Sequence, residues 1–270
     1  MEFVEILKHV FLGIIQGFTE PIPVSSSGHL VILREFLTSD VFRDLNFEII
    51  VNFGSLLAIM FLYKKDISKI FKEFFLYIKT KEKKYRNNFN YFLYIVIATI
   101  PAGIIGLLFK DFIEEKLVSV KIVGIALLIT ALFLFLIRNK EGKKTSEKIT
   151  WKDSIVIGLF QAVALLPGIS RSGATIVGGM FRDFKREVSV KFSFMLYIPI
   201  SIATSILGVS DIIDAGNVDS LIVPYSLGMI ASAIVTYFAA KWFINIMKKG
   251  DLVYFVSYCL ILGITVLLFV

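Results

Sequence analysis

Apolar runs of helical length alternate with polar stretches along the whole chain, and two of those runs are broken in the same way. Residues 2–20 read as an apolar helix closed by Pro21, and residues 24–37 as a short second helix. Neither is long enough to cross a bilayer comfortably, so the pair predicts a re-entrant hairpin. Irregular backbone of that kind survives at membrane depth only inside protein or beside a wet cavity. Three longer runs follow, at 47–63, at 89–109 with Pro101 as an expected kink, and at 118–137. A polar loop, 64–88, separates the first two, and a short mixed loop, 110–117, the second and third. After 138–152 the order restarts. Short helices at 155–166 and 170–181 flank Pro167, Gly168 and Ile169, and three runs follow near 191–208, 222–243 and 252–270.

The two halves share residues as well as order. Gly13, Gln16, Ser25, Ser27, Gly28 and Phe47 recur 145 positions later as Gly158, Gln161, Ser170, Ser172, Gly173 and Phe192. Asn52 and Tyr197 stand at the same interval. Three spans per repeat is an odd number, so the second repeat must be inverted relative to the first, as in many transporters. The predicted fold is an all-α integral membrane protein with six transmembrane helices and two re-entrant hairpins. It forms one membrane domain over 1–270, with repeat one about 1–138 and repeat two about 153–270.

Composition and charge orient this layout. The chain is 56% hydrophobic with a mean hydropathy of +0.78, which excludes an ordinary soluble enzyme. The net charge of +7 sits between apolar runs, as positive-inside loops do, and does not suggest nucleic acid. Residues 64–88 hold nine Lys/Arg against three Asp/Glu, and 138–152 and 241–251 are also basic, so all three are expected in the cytoplasm. The stretch 209–221 carries Asp211, Asp214 and Asp219 without Lys or Arg and is expected outside. Both termini then fall outside, and the first hairpin enters from the outer face. Cys259 is the single cysteine, which excludes an internal disulfide. No removable signal peptide is expected at the N-terminus.

The candidate chemistry lies at the two breaks. Gln16 and Glu20 share a helix face, and Pro21 and Pro23 end that helix. Ser25, Ser26 and Ser27 can cap the next helix, and Gly28 lets a ligand approach. A serine-capped helix N-terminus directs N–H groups at an anion. In the second repeat Arg171 stands where Ser26 does, Leu165 opposite Glu20, and Ala174 opposite His29. One hairpin therefore offers acid, hydroxyl and imidazole; the other offers a guanidinium suited to phosphate, with Ser170, Ser172 and Gly173 beside it. Ser26 can attack phosphorus or position a water, with His29 as base. Glu20, with the Gln16 amide, can hold a divalent cation, Mg²⁺ or Ca²⁺. Gln161 is expected only to bond backbone freed by the break. His9 receives no role.

The stretch Gln16-Gly-Phe-Thr-Glu20-Pro-Ile-Pro-Val-Ser-Ser-Ser-Gly-His29, together with Pro167-Gly-Ile-Ser-Arg171-Ser-Gly-Ala-Thr175, resembles the undecaprenyl-diphosphate phosphatase family associated with bacitracin resistance. The resemblance covers nearly the whole chain. It implies a multi-pass enzyme of the bacterial plasma membrane that removes one phosphate from a polyprenyl diphosphate lipid and recycles the carrier for cell-wall synthesis. Glu20, Ser26, His29 and Arg171 match the family's essential positions. The leading position of the acidic motif is Glu or Gln in such proteins; Gln16 here leaves a single carboxylate for the metal. The active site is expected to open to the outer face, among membrane lipids, and a homodimer is compatible with this reading. Inverted repeats also suit a transporter or flippase for a polyprenyl phosphate lipid. A carrier, however, has little use for Glu20, Ser26 and His29 converging on one phosphate.

Overall fold

The breaks expected at Pro21 and Pro167 are present in the computed structural model, which describes residues 3–36, 45–214 and 218–269. Eleven α-helices form its regular structure: α1 (Phe3–Thr19), α2 (Ser26–Phe36), α3 (Leu45–Leu62), α4 (Lys64–Thr80), α5 (Arg86–Lys116), α6 (Val120–Ile137), α7 (Trp151–Val163), α8 (Arg171–Phe181), α9 (Arg186–Asp214), α10 (Val218–Lys249) and α11 (Val253–Phe269). Four segments are long and apolar enough to cross a membrane: Lys83–Phe109, Val120–Ile137, Arg186–Gly208 and Ile222–Lys249. The bent pair α3 and α4 would make a fifth, and α11 is apolar but only 17 residues long. The chain is a helical, multi-pass membrane protein.

Three expected loops are helical instead. Residues 64–88 begin with α4, bent 75° from α3, followed by a 3-10 turn at Lys83–Tyr85. The reason is a stripe of Ile67, Ile70, Phe74 and Tyr77 at helical spacing beneath the lysines. The expected mixed loop at 110–117 is the end of α5. That helix runs through Pro101, and its non-helical residue is Phe109 (φ −119°, ψ 15°), where a span was expected to end. The expected loop 209–221 is mostly the end of α9 and the start of α10; residues 215–217 and the side chains of 209–221 lie outside the described residues.

Packing crosses between the halves in reciprocal fashion. α1 of the first half lies on α10 of the second, and α7 of the second lies on α5 of the first. A glycine at the matching position of each half makes both approaches close. A Cβ on Gly13 would sit 2.2 Å from the Gly228 carbonyl oxygen, and one on Gly158 would sit 2.6 Å from that of Ala98. α6 packs along α11, and α3 along α9. The main core joins these helices through buried side chains such as Leu56, Leu127, Ile176, Phe243 and Cys259.

The basic linker is strapped to the second hairpin. Thr150 caps α7 in a reciprocal box with Asp153. Asp153 also accepts from Lys144 Nζ at 3.0 Å and Arg182 Nε at 2.7 Å, and Arg182 follows the last residue of α8. Burial alone would raise the Asp153 carboxyl; the bonds from Lys144, Arg182 and Thr150 outweigh it and hold it below the usual carboxylate range. A depressed folded value contributes stability above the unfolded value, near pH 4, and loses it as pH falls through the folded value. Asp153→Asn should therefore lower stability by about 2 kcal/mol at neutral pH, since it breaks a buried pair whose cations are partly solvated. Melting in detergent should show the gap from wild type closing below about pH 4; a gap constant with pH would contradict the ion-pair assignment.

Candidate active site

Each hairpin is turned by local chemistry that follows directly from its residues. In the first, α1 ends because Pro21 and Pro23 cannot continue the hydrogen-bond ladder. Ser25 then adopts φ +68°, a left-handed conformation costly for a residue with a side chain. Its hydroxyl accepts from the Gly28 N–H at 3.2 Å and lies 3.3 Å from Ser27 Oγ. In the second, Gly168 takes the positive φ (+96°). Ser170 Oγ accepts from the Gly173 N–H at 3.1 Å and lies 3.1 Å from Ser172 Oγ. Ser25 and Ser170 are thus equivalent buried N-caps, and the N–H groups in the first turn of each helix are the ones an anion would meet.

The two tips touch. A Cβ on Gly28 would lie 3.1 Å from Gly168 Cα, and one on Gly173 would lie 3.2 Å from Pro23 Cβ. Ser172 Oγ donates to the Ile22 carbonyl at 3.1 Å. Each break is also braced by the last helix of the opposite half. Thr130 on α6 donates to the Gly168 carbonyl at 3.3 Å and accepts from the Ser170 N–H at 3.2 Å. Cys259 on α11 lies with its sulfur 3.7 Å from the Pro23 carbonyl oxygen.

Contact between the tips brings Glu20 and Arg171 together. Arg171 Nη2 donates to Glu20 Oε1, with the two side chains 19% and 7% exposed. Glu20 Oε2 accepts from Ser26 Oγ at 2.5 Å and from Gln16 Nε2 at 2.9 Å. Arg171 also lies over the Tyr197 ring, its guanidinium carbon 3.9 Å from the centroid. The Tyr197 hydroxyl donates to Asn52 Oδ1 at 2.7 Å. Asn52 and Tyr197, related in the sequence by the 145-residue interval, therefore bond to each other behind the arginine.

His29 is held apart from this group. Its Nδ1 lies 2.7 Å from the Ser25 carbonyl oxygen, which can only accept, so Nδ1 carries the proton. Nε2 of the neutral ring then accepts from the Tyr258 hydroxyl at 2.6 Å, and the rings stack at 5.6 Å. His29 makes no hydrogen bond to Ser26; the group that accepts the Ser26 proton is Glu20. Tyr258 left no signal in the sequence, because an aromatic residue in an apolar helix reads as core. Gln161 does bond backbone, but across the helix packing rather than at its own break: its Nε2 donates to the Ala98 carbonyl of α5 at 3.4 Å. His9 bonds the Glu5 carbonyl and packs on Phe47, away from the site.

The donor set also bears on a divalent ion. Both Glu20 oxygens are engaged by protein donors, and Gln16 turns its nitrogen, not its oxygen, toward the carboxylate. Among the described residues no group of three His, Cys, Asp or Glu gathers anywhere. One carboxylate and one amide suit Mg²⁺ only when substrate phosphate oxygens complete the shell.

Fold and site together define a multi-pass helical membrane protein with a buried acid–hydroxyl–guanidinium centre. The chain belongs to the family described as "Bacitracin resistance protein BacA", whose model matches residues 9–265. It is 48% identical to "Undecaprenyl-diphosphatase 1" of Bacillus cereus over 268 residues, 99% of each chain. It is equally similar to "Undecaprenyl-diphosphatase 1" of Bacillus licheniformis, 48% over 270 residues and the full length of both. "Undecaprenyl-diphosphatase" of Oceanobacillus iheyensis is 46% identical over 271 residues, 99% of this chain and 98% of its own.

The site should bind a bare diphosphate. Saturating pyrophosphate should raise the melting temperature of the detergent-solubilised protein by about 5 °C or more, and Arg171→Ala should abolish the shift. An undiminished shift in Arg171→Ala would place the anion elsewhere.

Proposed function

We propose that this protein hydrolyses undecaprenyl diphosphate to undecaprenyl phosphate and inorganic phosphate, recycling the lipid carrier of cell-wall synthesis in the bacterial plasma membrane and conferring resistance to bacitracin. The observation that carries the reading is the chain Arg171–Glu20–Ser26, in which a guanidinium from one hairpin and a hydroxyl from the other share one buried carboxylate. The activity for which relatives alike over their whole length are named supports it.

The chemistry follows from those bonds. An arriving diphosphate competes with Glu20 for the Arg171 fork, and the N-terminal amides of α2 and α8 add donors from both sides. Glu20, released from Arg171, keeps Ser26 and takes its proton. Ser26 Oγ forms a bond to the terminal phosphorus, and the bridging P–O bond breaks, leaving with the lipid as its monophosphate. Arg171 stabilises the charge that builds on the transferring oxygens. Water then attacks the phosphoserine with its proton passing to His29 Nε2, and the Ser26 oxygen recovers its proton from Glu20 as phosphate departs. With its amide turned over, Gln16 would join Glu20 and the diphosphate oxygens in holding Mg²⁺ or Ca²⁺, which supplies charge neutralisation. Ser25, Ser27, Ser170 and Ser172 shape the cradle, and Gly28 and Gly173 add no side chain to it.

The same reading includes the finer architecture. The two hairpins are re-entrant, six spans form two inverted repeats of about 1–138 and 153–270, and both termini lie outside, with the site open to the outer face. The reciprocal packing of α1 on α10 and α7 on α5 supports the inverted relation, and the lysines of 64–88 support the orientation.

A carrier and an enzyme differ in detergent, where there is no bilayer to cross. Purified protein should release phosphate from undecaprenyl diphosphate without vesicles. Ser26→Ala should abolish release, and Arg171→Lys should lower kcat on the order of 10²-fold, a loss of roughly 2.7 kcal/mol, because lysine keeps the charge without the fork. Rapid-quench mass spectrometry on His29→Ala should trap phosphoserine at Ser26. No release by wild type would leave the carrier reading, and substantial turnover by Ser26→Ala would make water the nucleophile.

A further inference from the structure

The helix that replaced an expected loop carries three faces. Ile67, Ile70, Phe74 and Tyr77 turn inward; Phe74 stacks on Phe89 of α5 at 5.3 Å, and Tyr77 meets the same ring at 4.6 Å. Phe71, Phe75 and Ile78 form a second stripe that is left exposed, Phe75 by 64%. Lys65, Lys69, Lys72 and Lys79 form the third. A helix with an exposed apolar flank beside a basic one, set at 75° to the helix before it, suits the membrane interface.

On the basic side is a cavity of about 730 Å³ lined by Lys64, Lys65, Lys69, Lys72, Glu73 and Tyr85 among others. Four lysines there face one carboxylate, and that carboxylate is occupied: Glu73 accepts from Asn88 Nδ2 at 2.6 Å. The other acids nearby are also engaged, Asp66 by Lys191 at 2.5 Å and Glu82 by Lys84 at 2.7 Å. Lys65, Lys69 and Lys72 have no carboxylate partner among the described residues. A concave site with this charge excess selects an anion.

We propose that this cavity binds the phosphodiester headgroup of an anionic phospholipid in the cytoplasmic leaflet, with the acyl chains beside Phe71, Phe75 and Ile78. Charge complementarity accounts for the headgroup, and the adjoining apolar stripe distinguishes a lipid from a free phosphate ion, which would have no use for it. The site is separate from the Glu20–Arg171 centre and does not depend on the reaction proposed there; its leaflet alone rests on the orientation proposed above.

Native mass spectrometry of the full chain, released from detergent with equal phosphatidylglycerol and phosphatidylcholine, tests this directly. Wild type should retain phosphatidylglycerol about tenfold over phosphatidylcholine. Combined Lys65→Gln, Lys69→Gln and Lys72→Gln should remove the preference at an unchanged melting temperature. The corresponding triple change to Arg, which preserves charge, should keep it. Added inorganic phosphate should leave the lipid in place, and the mass identifies the occupant. Equal retention of the two lipids by wild type, a preference surviving in the Gln variant or lost in the Arg variant, or displacement by phosphate would each overturn the proposal.

Discussion

The ion pair between Glu20 and Arg171 is the constraint on which the rest of this structure depends. Neither charge tolerates burial alone. The pair joins residues 151 positions apart on two separate hairpins, so it exists only if both tips arrive at one point. That requirement explains features that otherwise look unrelated. Both helices must break early, which Pro21, Pro23 and Pro167 ensure. Both tips must be thin, which Gly28, Gly168 and Gly173 ensure. Each break must be held from outside, and Thr130 and Cys259 do so from the last helix of the opposite half.

The reciprocity of these contacts gives the site its asymmetric chemistry. The two hairpins share a capping geometry, yet they differ at the position shared by Ser26 and Arg171. Symmetric packing thus delivers unlike groups to one carboxylate. Ser25 holds a strained left-handed backbone where its counterpart Ser170 does not. That difference lies beside the hydroxyl proposed to attack, where strain at a functional residue is most often found. Tyr197 and Asn52 extend the arrangement outward: the Tyr197 ring lies against the guanidinium and is itself held by Asn52.

Much of this was legible in the sequence because it was written as period, break and repeat. Apolar runs gave the helices, prolines gave the breaks, and the 145-residue interval identified Arg171 as the partner position of Ser26. Charge, by contrast, misled. The lysines of 64–88 read as a loop because the inward stripe of Ile67, Ile70, Phe74 and Tyr77 was outweighed by their number. The run 110–117 read as a loop for the same reason, although α5 continues past an irregular Phe109. Long-range pairings were beyond reach. Nothing local marks Tyr258 as the partner of His29, and spacing alone suggested that His29 would face Ser26, whereas the Ser25 carbonyl and Tyr258 turn the ring to a different task.

The central claim is that Glu20 and Arg171 act as one unit across the two hairpins. A double-mutant cycle on kcat/KM for undecaprenyl diphosphate tests it most directly, using Glu20→Gln, Arg171→Lys and the combination in detergent. Groups that work as a unit lose most of their effect together, so the double variant should be scarcely slower than the worse single variant. Losses that simply multiply, with a coupling indistinguishable from zero, would mean that the two residues act independently and would contradict the account.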